Sequence, residues 1–463
     1  MNGSEQVGRS PMMGLDEAAG AVNAIGVHGS ARFSGVTTDS RAVDAGDLFV
    51  ALKGENFDGH DYVAEAARRG AVAAIVSRHL DTQSAIPQVV VADTRIALGS
   101  LASHWRGKFA LPVVALTGSN GKTTVKEMLT SILAAHCGSR DAVLATEGNL
   151  NNDIGMPLTL LKLRDRHRFA VIEMGMNHEG EIDYLTKIAR PTVAVVNNAQ
   201  RAHVGMLGSV EAIARAKGEI YGGLPATGIA VVNADDKFAA YWKELNASRR
   251  TVTFGLSEDA DVRAQRAGGQ ARFVTPTDAF GAALQVRGEH NLRNAAAACA
   301  AAYALEIPFA AMQAGLAAFA GVPGRLQRRK APSGAIVIDD SYNANPESMK
   351  AALRVLAEEH GRKVFVMGDM GELGGESAAM HAEVGSFAKQ SGIDALMATG
   401  EASRHAVQAF GRGAMHFDDA DALSRAAVNE SAHGATILVK GSRFMRMERI
   451  ADALAGKGAG HAV

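Results

Sequence analysis

VVALTGSNGKTT, residues 113–124, decides how the rest of the chain is read. Val113-Val114-Ala115-Leu116 is a short apolar run, the kind buried on both faces of a parallel sheet. Gly118 to Thr124 then make a polar, glycine-containing turn. After it Val125, Met128, Leu129, Ile132 and Leu133 recur at i, i+3, i+4, i+7 and i+8, the apolar stripe of an amphipathic helix. Strand, glycine loop with Lys-Thr and helix together form a phosphate-binding arrangement. Backbone N–H groups and the positive helix start face phosphate oxygens, Lys122 reaches the β- and γ-phosphates, and the Thr123 hydroxyl is placed to ligate Mg²⁺. Six residues before Lys122 stands Leu116 rather than glycine, so this is a shorter loop than the common form. The plain alternative is a tight turn carrying an exposed lysine.

The composition narrows the class. A chain of 463 residues suggests about three domains. With 47% hydrophobic residues and 50 glycines it fits a soluble α/β protein with many short turns. A formal net charge of −1 gives no basic field to attract nucleic acid, so a phosphorylated substrate must be held by local cations and helix termini. Cys137 and Cys299 both fall in apolar helical patterns and read as buried thiols, with neither a disulfide framework nor a zinc pattern. MNGSEQVGRSPMM lacks a charged start followed by an apolar core, so no secretion signal is expected. The longest uninterrupted apolar run, 295–305, is 11 residues, short of the ~20 that a spanning helix needs. A cytosolic protein without membrane insertion is the expectation.

Taken in order, residues 1–107 read as a small α/β unit, with strands at 47–52, 71–76 and 88–92 and helices at 62–69 and 95–106. Polar clusters stand at 37–41 (TTDSR) and 56–61 (NFDGHD). Arg41 with neighbouring hydroxyls could grip a diphosphate, although Asp-Ser-Arg is commonly just a turn. Residues 108–321 alternate strand and helix patterns, which predicts a mainly parallel sheet covered on both faces. The strand at 169–173 (FAVIE) ends in Glu173, where a metal-binding carboxylate belongs if phosphates sit at the same sheet edge. A polar knot (EGNLNND) fills 147–153, and strands at 192–198 and 228–234 flank a helix at 209–224 that carries Lys217. Segments from 251 to 287 predict a smaller antiparallel patch, and an Ala-rich helix starts at 288–294 (GEHNLRN). Val322-Pro323-Gly324-Arg325 reads as a hinge. Beyond it strands at 336–340, 364–367, 395–398 and 437–439 alternate with helices at 346–359, 377–390, 404–410, 421–429 and 444–454. The expected fold is α/β in three domains: a small N-terminal one (1–107), a central P-loop-type ATPase domain with a mainly parallel sheet (108–321), and a Rossmann-like C-terminal one (322–463).

TGSNGKTT, IEMGMNHEGEI (172–182), AKGEIY (216–221) and GEHNLRNAAAA (288–298) together resemble the Mur ligase family, which builds the cytoplasmic peptide precursor of bacterial peptidoglycan. GDLFVALKGENFDGHDY (46–62), NLNNDIGMPLTLL (149–161), DDSYNANPESM (339–349), VMGDMGELG (366–374) and LVKGSR (438–443) are similar to the branch that adds D-alanyl-D-alanine. The Asp-Asn-Pro-Arg motif of the members adding diaminopimelate or lysine is missing from this sequence.

The resemblance implies an ATP-dependent, ADP-forming amide ligase that joins D-alanyl-D-alanine to UDP-N-acetylmuramoyl-tripeptide through an acyl phosphate. It implies ATP phosphates on Gly118, Ser119, Asn120, Gly121, Lys122, Thr123 and Thr124, and one Mg²⁺ on Thr123 and Glu173. It further implies His203 near a second Mg²⁺ and a carbamate on Lys217 as another metal ligand, with Lys122, Glu173, His203 and Lys217 as the catalytic set. Asn291 and Asn294 would lie on the adenosine side, Asp340 would reach ATP from the third domain, and Ser40, Arg41, Asn149 and Asn152 would serve the uridine nucleotide. A monomer is expected. Each residue also has a bland reading: Glu173 as a surface strand end, His203 as an ordinary polar histidine, Lys217 as a solvated lysine, Asn291 as a helix cap. Two other functions stay open, a sister ligase adding diaminopimelate or lysine and a nucleotide-gated binding module.

Overall fold

The apolar run after residue 112 forms the strand Val113–Thr117, which is buried along its whole length between two parallel neighbours, Phe169–Glu173 and Val193–Val196. Helices cover both faces, so both faces take apolar side chains. The computed structural model describes residues 10–81, 86–202, 204–432 and 434–456, and His203 lies outside them. Across the nine-stranded central sheet the order is Val143–Ala145, Phe169–Glu173, Val113–Thr117, Val193–Val196, Ile229–Asn233, Arg250–Gly255, Val262–Ala267, Gln270–Val274 and Ala279–Ala282. Pairing is parallel as far as Val262–Ala267 and antiparallel for the last two rungs.

That order corrects one expectation. The antiparallel patch expected over 251–287 holds for Val262–Ala267, Gln270–Val274 and Ala279–Ala282, but these strands continue the main sheet, and Arg250–Gly255 joins it in parallel. Val252, Phe254, Val262 and Ala264 bury their side chains in the same core as the alanines of the helix Glu289–Ala304. A polar residue of this buried strand is satisfied internally: Thr253 Oγ1 donates to Asp261 Oδ2 at 2.7 Å. The helix after the phosphate loop, Lys122–Cys137, buries Val125, Met128, Leu129, Ile132 and Leu133, the predicted stripe. Helix Phe309–Ala318 packs against it so closely that a Cβ on Gly315 would meet Ile132 Cα at 2.3 Å. Cys299 is buried, whereas Cys137 is only half-buried.

The N-terminal unit is a five-stranded sheet in the order Gly26–His28, Gln88–Val90, Ala73–Val76, Asp47–Val50, Gly35–Thr37. Helix Thr94–Arg106, capped by Asp93, ties it to the central unit: Trp105 Nε1 donates to Leu163 O at 3.1 Å and Arg106 Nε to Ala189 O at 3.0 Å. The third unit is a six-stranded sheet in the order Gln327–Lys330, Ile336–Asp340, Thr436–Lys440, Lys363–Met367, Ala395–Thr399, Ala414–Phe417. All its rungs are parallel except that of the first strand. Two predicted helices are shorter than expected. Helix 209–224 is Val210–Gly218 followed by a 3₁₀ turn, and the last helix starts at Glu448 because Arg446 takes the left-handed φ of 50°.

Charged side chains join the second and third units. Arg201 donates from Nε to Glu347 at 2.6 Å and from both terminal nitrogens to Glu383 at 2.9 Å, and Lys350 also pairs with Glu383. Gly205 N–H donates to Glu372 O at 3.0 Å. Among the described residues no helix is long and apolar enough to cross a membrane.

Candidate active site

A cleft of about 820 Å³ opens where the C-terminal ends of the central strands face the third sheet. Its floor is the phosphate loop. Gly121 has φ 81°, and a Cβ there would lie 2.3 Å from Asn294 Oδ1 and 2.6 Å from Asn197 Nδ2, so only glycine fits. The loop is held from outside: Ser119 Oγ donates to Gln200 O at 3.0 Å, Asn120 N–H to Asn198 Oδ1 at 2.8 Å, and Asn197 Nδ2 to Asn120 O at 2.8 Å. The helix that follows has no side-chain cap, so its first N–H groups are left for an anion. Lys122 Nζ bends back to Gly118 O at 2.7 Å. Burial pushes its ammonium below the ordinary lysine range, and the Glu173 charge opposes that shift.

Glu173 ends its strand nearly buried, at 2% exposure. Thr123 Oγ1 donates to its Oε2 at 3.0 Å and Asn151 Nδ2 to its Oε1 at 2.8 Å. Asn149 and Asn152 line the same cleft, and Asn152 Oδ1 also accepts from Gly155 N–H at 2.9 Å. Lys217 is buried on helix Val210–Gly218 and has no side-chain hydrogen bond or ion pair among the described residues. Burial drives its ammonium far below the ordinary range, and Lys122 adds to the shift. Glu219, two residues on, turns away to accept from Gly180 and Asp183 N–H groups.

The donor set at Thr123 and Glu173 fits Mg²⁺. The ion takes hard oxygen ligands, commonly one or two carboxylates together with substrate phosphates, and needs no protein cage. No group of three or more His, Cys, Asp or Glu suited to a metal occurs among the described residues.

Sequence reasoning missed Arg325. The expected hinge at 322–325 delivers its guanidinium across the cleft, where Nη2 donates to Thr123 Oγ1 at 3.1 Å and the plane lies 4.2 Å from the Tyr342 ring centre. A cation directly after Pro-Gly was the available signal. Asp340 also reaches the cleft: it pairs with Lys440 and accepts from Leu326 N–H at 3.0 Å. Burial raises its carboxyl, and the Lys440 charge pulls against that.

Family models match three successive stretches of the chain. The Mur ligase family catalytic domain matches residues 32–106, the Mur ligase middle domain 116–302, and the Mur ligase glutamate ligase domain 324–443. The chain belongs to the Mur ligase family. It is 44% identical to the UDP-N-acetylmuramoyl-tripeptide–D-alanyl-D-alanine ligase of Escherichia coli, over 91% of this chain and 94% of that one. A crystal structure of MurF from Acinetobacter baumannii superposes with a TM-score of 0.88 at 40% identity, covering 96% of this chain and 98% of the other. MurF of Thermotoga maritima in complex with ADP gives 0.80 at 30% identity, covering 91% and 97%. The expected three-domain α/β architecture is that of these Mur ligases.

Several expected site residues of this Mur ligase are occupied in ways their motifs did not suggest. Asn291 and Asn294 line the cleft, yet Asn294 Oδ1 accepts from Asn197 at 3.1 Å and Asn291 Nδ2 donates to Arg287 O at 2.8 Å. Asn294 thereby braces the phosphate loop. Ser40 and Arg41 lie in the N-terminal unit, away from the cleft lining; Arg41 is spent on Asp39 through two 2.9 Å hydrogen bonds. His381, outside the expected set, is fully buried and accepts from Met370 N–H at 2.9 Å, next to the strand Lys363–Met367.

His290 lines the cleft too, and burial, reinforced by the charges of Lys440, Arg293 and Arg354, lowers its pKa to about 4. Its ring is therefore neutral at pH 7. The folded value lies below the unfolded 6.5, so the unfolded chain binds the proton more readily. Its contribution to stability is complete above pH 6.5 and declines as pH falls toward 4. Proton NMR of the imidazole is expected to show a midpoint near 4; a midpoint near 6.5 would refute the burial argument.

Proposed function

We propose that this Mur ligase joins D-alanyl-D-alanine to UDP-N-acetylmuramoyl-tripeptide, using ATP and forming ADP and phosphate. The observation that carries the reading is 44% identity, over 91% of this chain, to a ligase of that name, in a chain whose cleft gathers phosphate loop, carboxylate and third-domain cations. A free carboxylate reacts poorly with an amine because oxide is a poor leaving group. Transfer of the γ-phosphoryl group to the tripeptide carboxylate makes an acyl phosphate; the dipeptide amine attacks its carbonyl, and phosphate departs from the tetrahedral intermediate.

Lys122, the loop N–H groups and Arg325 are placed to offset charge on the moving phosphoryl group, and orientation supplies the rest. Two Mg²⁺ ions, one on Thr123 and Glu173 and the other toward His203, would neutralise phosphate charge and orient its oxygens. Asn291 lies on the adenosine side. Asn149 and Asn152 would face the uridine nucleotide, whose diphosphate would draw Arg41 off Asp39 with Ser40 beside it. Lys217 carries a carbamate in this reading: burial, with no partner among the described residues, disfavours the ammonium and so favours the neutral amine, the form that adds CO₂. After ¹³C-bicarbonate, a carbamate resonance is expected in the native chain and not in Lys217→Ala, which should lose at least about tenfold in turnover. A native chain with no such resonance would sink the carbamate.

The protein works as a monomer on small-molecule substrates, without nucleic acid or membrane insertion. Phosphate release from Mg²⁺-ATP tests the whole reading. It is expected to require both UDP-N-acetylmuramoyl-tripeptide and D-alanyl-D-alanine, with a product heavier by one dipeptide residue. Release driven by diaminopimelate or lysine would mean a sister ligase; release indifferent to any amine would mean a nucleotide-gated module.

A further inference from the structure

Lys126 is a charged side chain inside the fold, 1% exposed, that no step above uses. It stands four residues after Lys122 on the same helix, hence on the same face. Its ammonium donates to the Thr146 carbonyl, with Glu127 Oε1 2.7 Å away. Thr146 follows Val143–Ala145, the strand at one edge of the central sheet. Up to this point the parallel ladder with Phe169–Glu173 runs in register, and Thr146 N–H still donates to Val171 O at 3.1 Å.

In a continuing parallel ladder the Thr146 carbonyl would next accept from Glu173 N–H. Here that N–H donates to the Thr146 hydroxyl at 2.9 Å, while the carbonyl is turned onto Lys126. The chain thus leaves the sheet, and residues 147–153 fold across the strand end. Asn151 arrives there with its carbonyl on Gly175 N–H at 2.8 Å and its amide on Glu173 at 2.8 Å.

We propose that Lys126 is a positioning residue for the Glu173 carboxylate: it holds the Thr146 carbonyl out of the ladder, which fixes both the Glu173 backbone and the loop that brings Asn151 to its side chain. The inference rests on Glu173 serving the divalent cation. Methionine would fill the space of Lys126 without a donor, leaving the Thr146 carbonyl either unpaired or back in the ladder. Outer partners of a metal ligand typically matter by about 10–100-fold in metal affinity or activity.

The test is Mn²⁺ binding to the full chain with ADP, followed by electron paramagnetic resonance of free Mn²⁺, together with melting curves. Lys126→Met is expected to weaken Mn²⁺ about tenfold, raise the Mg²⁺ needed for half-maximal turnover by a similar factor, and leave metal-free ADP binding unchanged. Lys126→Arg should recover most of that loss. A purely structural lysine would lower the melting temperature and active fraction while Mn²⁺ affinity per folded molecule stayed native, and that result overturns the proposal. If Lys126→Met does not fold, Thr146→Val decides, because it removes the acceptor of Glu173 N–H; native Mn²⁺ affinity there also overturns it. Glu173→Gln separates the premises. Native Mn²⁺ affinity in Glu173→Gln would remove the metal reading itself, whereas weak binding there beside native binding in Lys126→Met would reject only the role of Lys126.

Discussion

Glu173→Gln is expected to lower ligase turnover about a thousand-fold in a chain that still folds and melts nearly as the native one does. The carboxylate accepts from Thr123 on one oxygen and from Asn151 on the other. A carboxamide accepts on one side only and presents N–H groups to one of those donors, so the arrangement fails even though the size is kept. It also loses the charge a divalent cation requires, an effect worth several kcal/mol in the transition state; about 4 kcal/mol corresponds to roughly three decades of rate. The same charge opposes the downward shift of Lys122, so its removal weakens the neighbouring cation as well. Steady-state kinetics across Mg²⁺ concentration checks this. Turnover within about tenfold of native at saturating Mg²⁺ would remove Glu173 from the catalytic set.

Arg325→Ala should cost about as much, for a different reason. Its guanidinium crosses from the third unit to touch the Thr123 hydroxyl, yet its Nε is buried without an acceptor among the described residues. A fork of donors only partly used, beside the phosphate loop, suits charge that develops during phosphoryl transfer. Arginines in that position are worth about 10³–10⁵ in turnover. Nucleotide affinity should change only a few-fold, because the loop amides and Lys122 remain. Arg325→Lys should recover little: an ammonium lacks the fork and stacks less well on Tyr342. Rapid-quench measurement of the phosphoryl-transfer step, paired with nucleotide titration, separates the two effects. A variant that loses nucleotide binding and keeps the transfer rate would show that Arg325 is only a binding residue.

Features that depend on near neighbours in sequence were readable in the letters. The strand, loop and helix around Lys122 show in periodicity, and Glu173 shows in its place at the end of an apolar strand. What escaped was set by distant parts of the chain. Arg325 acquires a role only once the third sheet faces Thr123, some 202 residues earlier. Asn294 looked like a ligand contact, and its brace on Asn197 requires strand Val193–Val196 and helix Glu289–Ala304 to be placed first. The β character of Arg250–Gly255 was legible, but its parallel place in the main sheet was not, because polar letters such as Thr253, which finds Asp261 inside the fold, look like those of an exposed strand. Lys217 offered a signal that was passed over: it follows Ile213 by four positions and precedes Ile220 by three, which puts it on the buried stripe of its helix.

Arg201, Glu347, Lys350 and Glu383 stitch the third unit to the loop just ahead of residue 203, and each keeps between 22% and 35% of its side chain in water. Ion pairs so wetted are individually worth about 0–1 kcal/mol and weaken as salt rises. They select one orientation of the third unit over its neighbours without locking it there. An enzyme that must shield an acyl phosphate from water and then surrender a bulky nucleotide-peptide needs such a clasp. Pairs of that strength favour the third unit over the cleft and still let it swing away.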